Sequence, residues 1–430
     1  MFNLLKTKSN THWLFGWFCI YAMGVSISQA TMSVTAGLTV LGVMVILGFD
    51  SQQRQKFGKL IQPLWVKRWI QASVGLIVAL SLSLVWAEID PVSYSDTSAE
   101  VFFPKDVLKF WYFLIPPAIL WGISHLNSKQ KKNVFRVWMG VIFLFSIVGI
   151  FEHFLGWPGY RRLPYLDPPR YSTALFMHHL SISSIFIFSF FASLDQWRLN
   201  QSQRVISSKA LRILIPLVIF LALFFTYSRM LWAALPVGLL VWVCLYFRSW
   251  KSLFAAAAIG LTVLFLVKDL PFLKARWSSN TGINPRLELW QANWQMFKDR
   301  PLLGVGFRKN HELSGPKILE MVPGKGHAFA GHAHNMILDL LAGTGILGFI
   351  AFILWWWVYF RIAFTLYAHA ASDWTGGAAW IAAGVVFLMN GLTQVNFWEG
   401  KVLHQLMWVM GWMLVMVNET PGQQKAKKNE

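Results

Sequence analysis

Apolar runs of about 20 residues recur along this chain, each long enough to cross about 30 Å of hydrocarbon as a helix. They fall at 12–30, 32–49, 69–87, 108–126, 136–155, 171–194, 211–227, 230–247, 253–268, 335–360, 378–395 and 401–418, about twelve candidate spans. The pattern predicts an all-α, polytopic membrane fold with short loops and one long polar interval. It divides the chain into nine spans over 1–268, a large loop over 269–334, three spans over 335–418 and a tail over 419–430. The first run follows Lys6 and Lys8 and ends Ser28-Gln29-Ala30, like a signal peptide; heading so many spans, it reads as an uncleaved first helix.

Charge gives the spans a direction. Basic loops hold Arg54, Lys56, Lys59, Lys67 and Arg68; Lys129, Lys131, Lys132 and Arg136; Arg198, Arg204, Lys209 and Arg212; Arg248 and Lys251; and Lys425, Lys427 and Lys428 in the tail. They fall on alternate sides of the span count, so the positive-inside bias places them, and both termini, in the cytoplasm. Loop 88–107, with Glu88, Asp90, Asp96 and Glu100, and the long interval 269–334 then face outward. Two outer segments break the charge rule. One holds Arg161, Arg162 and Arg170, and the other is the turn Thr226-Tyr227-Ser228-Arg229. An arginine at a span end on the disfavoured side marks a site unless it only snorkels to lipid phosphate.

Composition narrows the class. Hydrophobic residues are 56% of the chain and charged ones 13%, against about 25% charged in a soluble domain. The 24 tryptophans suit membrane–water interfaces. Net charge is +19, but the cations are spread over short loops, which argues against nucleic-acid binding. Cys19 and Cys244 lie in apolar runs without metal or disulfide spacing.

The long outer interval carries the candidate chemistry. Asn284-Pro285 reads as an N-cap followed by a first-turn proline. A helix should run from there to Asp299, where Arg300-Pro301 ends it. Trp290, Trp294 and Phe297 share one helical face, which suits a helix lying on the membrane with Arg286 in its first turn. Gly304-Val305-Gly306 reads as a turn and is not a nucleotide-binding glycine loop. A loop with Arg308, His311, Lys325, His327 and His332 follows, and His334-Asn335 opens the next span. The histidines lack a further ligand at familiar metal spacing, so no metal site is assigned.

Several pieces then match a known pattern. His334-Asn335, followed by Gly345 and Gly348, resembles the histidine motif of the O-antigen ligase family. Arg286 with Trp290, the stretch Arg300-Pro301-Leu302-Leu303-Gly304-Val305-Gly306, and Tyr227-Ser228-Arg229 resemble flanking motifs of the wider ligase and polymerase superfamily. The resemblance covers about 226–348. It implies a bacterial inner-membrane enzyme with its active site facing the periplasm. Such an enzyme needs no metal or other cofactor and moves a glycan from undecaprenyl diphosphate to a lipid A–core acceptor. Two members with other acceptors remain open alternatives, an O-antigen polymerase and a protein O-oligosaccharyltransferase. A twelve-span transporter is the alternative outside enzymes, but the halves show no repeat and the polar residues sit at span ends.

The chemistry such a reaction needs fits the residues. Breaking the anomeric C–O bond releases a diphosphate, and arginine can neutralise it bidentately. Arg229 and Arg286 are the candidates, with Arg170 as a third. A histidine of ordinary pKa titrates near neutrality, so His334 is the candidate base for the acceptor hydroxyl, with inversion at the anomeric carbon. Asn335, Trp290, Arg308, His332 and Glu399 are candidate contacts to the diphosphate or glycan. Glu399 is also an alternative base, unless it only pairs with Lys401. His178 and His179 read as packing residues or as the lining of a polar cleft.

Overall fold

In a computed structural model of the chain, the structure describes residues 8–92, 94, 105–156, 162–163, 166–170, 178–201, 203–248, 251, 254, 283–325, 327–369 and 376–420. These form α1 (Lys8–Ile27), α2 (Gln29–Phe49), α3 (Ser51–Leu60), α4 (Leu64–Ile89), α5 (Ile115–Ser124), α6 (Ser128–Leu155), α7 (His179–Asp195), α8 (Lys209–Phe224) and α9 (Arg229–Phe247). After these come α10 (Ile283–Asp299), α11 (Asn310–Met321), α12 (Met336–Ala368), α13 (Gly377–Asn390) and α14 (Gly400–Asn418). A 3₁₀ segment, Lys105–Leu114, leads into α5, whose first turn holds Pro116 and Pro117.

The helical expectation holds. Among the described residues, seven helices are long and apolar enough to cross a membrane, and His179–Asp195 and Gly377–Thr393 are shorter apolar helices. The predicted span at 253–268 lies almost wholly outside the described residues. One departure from an all-helical chain is a small ribbon, β1 (Arg162–Leu163) and β2 (Leu166–Arg170), paired antiparallel with Arg162 opposite Arg170. Pro168 and Pro169 account for it, because two consecutive prolines favour extended backbone over helix.

The bundle centres on α12 and α14. α12 packs antiparallel to α4, with Trp355 Nε1 donating to Ser73 Oγ at 3.1 Å. α14 is buried along its whole length, including His404 and Gln405. Several helices turn large apolar residues outward, among them Leu41 and Met44 on α2, Val78 and Val85 on α4, and Ile350 and Leu354 on one face of α12. Such faces suit lipid, and the backbone polar groups stay inside the helices.

The two ends of the bundle differ. At one end Arg68 and Arg361 stack on Trp65, Arg198 and Arg248 lie over Tyr367, and Lys131 pairs with Glu419. At the other end α4 finishes, α9, α12 and α14 begin, and α10 and α11 are seated.

At that second end α12 is broken. Gly345 has φ 61° and ψ −165°, a region open essentially to glycine alone. In an unbroken helix the amides of Ile346 and Leu347 would donate to the carbonyls of Ala342 and Gly343. Here Ile346 N donates to Pro301 O at 2.8 Å and Leu347 N to Leu302 O at 3.3 Å. Ala342 O accepts from Val305 N and Gly343 O from Gly306 N, both at 2.9 Å. Two helical hydrogen bonds are thus exchanged for four to the segment 301–306. The stretch read from sequence as a turn is one, and its backbone is inserted at the break, which lets non-helical backbone exist beside a span.

A Cβ on Gly345 would collide with the Leu302 backbone, whereas one on Gly42 of α2 meets nothing within 4 Å. Gly345→Ala should therefore lower the apparent Tm in detergent by several degrees, the conformational strain alone being worth about 1–3 kcal/mol. Gly42→Ala should leave Tm within about a degree of wild type. Equal shifts would contradict the exchange.

Candidate active site

The inserted segment seats everything around it. α10 ends at Asp299, as the following Arg300-Pro301 predicts. It starts at Ile283, slightly before the predicted cap. Its buried face is Leu289, Ala292, Asn293 and Met296, which joins Tyr94, Val305, Leu313, Ile318 and Ala342 in a small core separate from that of the bundle. The predicted aromatic stripe is displaced from that face, and Trp294 is exposed, its ring tilted against Phe297 with centroids 5.3 Å apart. Small and aliphatic side chains meet the broken helix closely, where indoles could not fit.

The acidic end of α4 clamps this unit to the bundle. Arg300 pairs with Asp90, and Lys309 with Glu88. Tyr94 Oη donates to Asp299 Oδ2 at 3.1 Å, and Lys317 Nζ lies 2.9 Å from the same oxygen. These donors hold the Asp299 carboxyl below its ordinary range despite partial burial. Phe307 N donates to Ser83 Oγ on α4 at 3.1 Å, and the Phe307 ring packs against Trp398 with centroids 4.9 Å apart.

The histidine loop follows from this frame. Asn335 caps α12, its Oδ1 accepting from Ile337 N at 3.0 Å and Leu338 N at 3.1 Å. His334 stands just before the cap with φ 47°, and Arg308 has φ 65°. Left-handed backbone at non-glycine residues is a strain that clusters at functional sites. The His334 amide donates to His332 Nδ1 at 3.1 Å, and the two rings lie 4.0 Å apart. His334 Nδ1 is buried with no hydrogen-bond partner among the described residues. Ser314 Oγ pins the loop by accepting from Gly331 N at 2.9 Å and donating to Gly331 O at 3.0 Å.

The structure brings several expected residues together. Arg286, His332 and His178 all act electrostatically on His334. Arg286 and Arg308 both act on His332. Burial, with His332 and Arg286 adding to it, pushes His334 down to about 3. Burial also pushes His332 down to about 4, with help from His311, Arg308 and Arg286. His334 is therefore neutral at physiological pH, and it is a far weaker base in this state than its ordinary pKa suggested. The first cause is burial of the ring, and the neighbouring Arg286 adds to it.

Other candidates share the end without an established contact to His334. Arg229 begins α9 and is half-buried. Glu399 is the N-cap of α14 and accepts from the Ser181 hydroxyl, and burial raises its pKa. Lys401 and Lys109 act on Glu399 as well, so pairing with Lys401 is only part of its environment. Trp290 is half-buried, with an Nε1 that lacks a hydrogen-bond partner among the described residues. Arg170 contributes backbone to β2, and its side chain lies outside the described residues, as does Arg161.

Sequence reasoning passed over the buried polar chain beneath the histidines. Asn310 Nδ2 donates to Asn293 Oδ1 at 2.7 Å and to Asp339 Oδ1 at 3.2 Å, and His311 Nε2 lies 2.8 Å from that same Asp339 oxygen. Asp339 could have been found, because an ionisable residue inside an apolar run signals a site by default.

The family model described as O-antigen ligase matches residues 214–353, from α8 past the break in α12. No curated protein matches the chain.

Asn335→Ala removes the cap and should destabilise the start of α12 by about 0.5–2 kcal/mol. It should be read as faster hydrogen exchange confined to 334–341. Exchange unchanged there would contradict the capping role.

Proposed function

We propose, starting from the match of residues 214–353 to the family model described as O-antigen ligase, that the chain transfers a glycan from undecaprenyl diphosphate to a lipid A–core acceptor. The observation that carries this reading is one cluster within the matched segment: Arg286, Arg308, His332 and His334 at a single end of the bundle. The cations collected at the opposite end support an orientation with that end in the cytoplasm and the cluster facing the periplasm of an inner membrane. The interval 269–334 is then the catalytic loop.

Each residue has a task in the reaction. Arg286, Arg308 and Arg229 bind the diphosphate and neutralise the charge that grows as the anomeric C–O bond breaks. His334 Nε2 takes the proton of the attacking hydroxyl, and attack from the opposite face inverts the anomeric centre. Arg170, Asn335, Trp290, His332 and Glu399 line the surroundings for diphosphate or sugar.

The low basicity of His334 fits this sequence of events. A diphosphate against Arg286 offsets the positive field on the ring, so the donor itself raises the pKa of the base. The base works deprotonated. With a free-enzyme value of about 3, kcat/KM for the donor should be flat between about pH 5 and 8, while kcat falls on the acid side. An acid limb near the ordinary histidine value in both profiles would contradict donor-driven activation.

Purified protein given lipid-linked glycan and lipid A–core tests the reading directly. Transfer to core is the expected product. Elongation of the carrier-linked glycan instead would favour a polymerase, and consumption of neither substrate would sink the enzyme reading. His334→Ala should lower kcat by about 10²–10⁴-fold. Arg286→Lys should cost at least about 10-fold, because an ammonium cannot reproduce the guanidinium fork.

A further inference from the structure

Asp339 stands in the first turn of α12 and is buried. An ionisable side chain in an apolar span is expensive, so its presence calls for a role. Its Oδ1 gathers three donors: His311 Nε2 at 2.8 Å, Asn310 Nδ2 at 3.2 Å and the Ala333 amide at 3.3 Å. Two of them come from α11. The third belongs to the loop residue between His332 and His334. One oxygen thus fixes the loop against α11 from beneath.

The rings continue outward from that oxygen. His311 and His332 lie 5.7 Å apart between centroids, and His332 and His334 lie 4.0 Å apart. A carboxylate accepting from His311 Nε2 fixes that ring's orientation, and its proton when the ring is neutral. His332 Nδ1 accepts the His334 amide, so a neutral His332 carries its proton on Nε2. Of the groups that act on His334, His332, Arg286 and His178 oppose a positive charge on the ring, and Asp339 favours one.

We propose that Asp339 is a positioning residue of the transfer reaction: its carboxylate joins His311, Asn310 and the Ala333 amide into the frame that presents His334, and it balances the proton His334 receives. This rests on the transferase reading above. In that step the hydroxyl oxygen bonds to the anomeric carbon and its proton moves to His334 Nε2. The C–O bond to phosphate breaks, and its electron pair leaves on the diphosphate. The imidazolium so formed is flanked by cations, and Asp339 is the compensating charge.

Asp339→Asn separates frame from charge, because the amide oxygen can still accept from Ala333 and Asn310. In the purified full-length protein, kcat should fall by about 10–100-fold, as for other residues that orient a reactive ligand. Donor KM should stay within about twofold, marking a loss confined to the transition state. The melting temperature should stay near that of wild type. A wild-type kcat, or a loss expressed wholly in KM, would overturn the proposal. Should Asp339→Asn fail to fold, His311→Gln keeps a donor to Asp339 and removes the ring; it should lower kcat, and an unchanged kcat would overturn the proposal too. A wild-type protein that transfers nothing, or a fully active His334→Ala, would instead sink the underlying function reading and is distinguishable on that ground.

Discussion

The exchange of hydrogen bonds between α12 and the segment 301–306 is the constraint on which the active end of this protein depends. Gly345 can take a backbone geometry closed to other residues, and the break frees two carbonyls and two amides at once. Beside a membrane such groups cannot be left to lipid. Pro301, Leu302, Val305 and Gly306 satisfy all four, so the loop must be present for the helix to break and the helix must break for the loop to seat. α10 and the histidine loop flank this joint on either side in sequence. Their mutual placement follows from it.

The same joint sets the electrostatics. Arg286 comes from the start of α10 and Arg308 from just beyond the inserted segment, and both reach the histidines that precede α12. The acidic side chains around this group are ion-paired, among them Glu288 with Lys325 and Asp299 with Lys317. Glu88 and Asp90 are engaged at the rim by Lys309 and Arg300. Asp339 lies beneath, engaged by His311. Arg286 and Arg308 thus stand beside neutral imidazoles. Such a cluster of guanidinium groups beside neutral imidazoles is suited to a polyanion, and this is the basis of the function proposed above.

Much of this was legible in the sequence. Apolar runs and charged loops place Arg229, Arg286, His334 and Glu399 at one end of a helical bundle, where the structure puts them. The end of α10 at Asp299 follows from Pro301 alone. The break at Gly345 was not legible, because a glycine in an apolar run has many uses and hydrogen bonding across about 40 residues leaves no local periodicity. The face of α10 that packs on the protein, Leu289, Ala292 and Met296, is small and aliphatic and was not marked by the aromatic spacing. The acidic residues of the 88–107 loop signalled a side of the membrane, but their partners Arg300 and Lys309 are distant in sequence. The lowered pKa of His334 depends first on how far folding buries the ring and then on bringing Arg286 beside it, and spacing encodes neither.

The central claim is that the arginines and His334 form one diphosphate-binding catalytic site. A structure of the full-length protein with undecaprenyl diphosphate bound tests it most directly. The account predicts the diphosphate within hydrogen-bonding distance of Arg286 and Arg308, with His334 Nε2 facing the position of the departing sugar. A diphosphate seated at the opposite, Arg198- and Arg361-bearing end, or one seated with His334 turned away from it, would contradict the account.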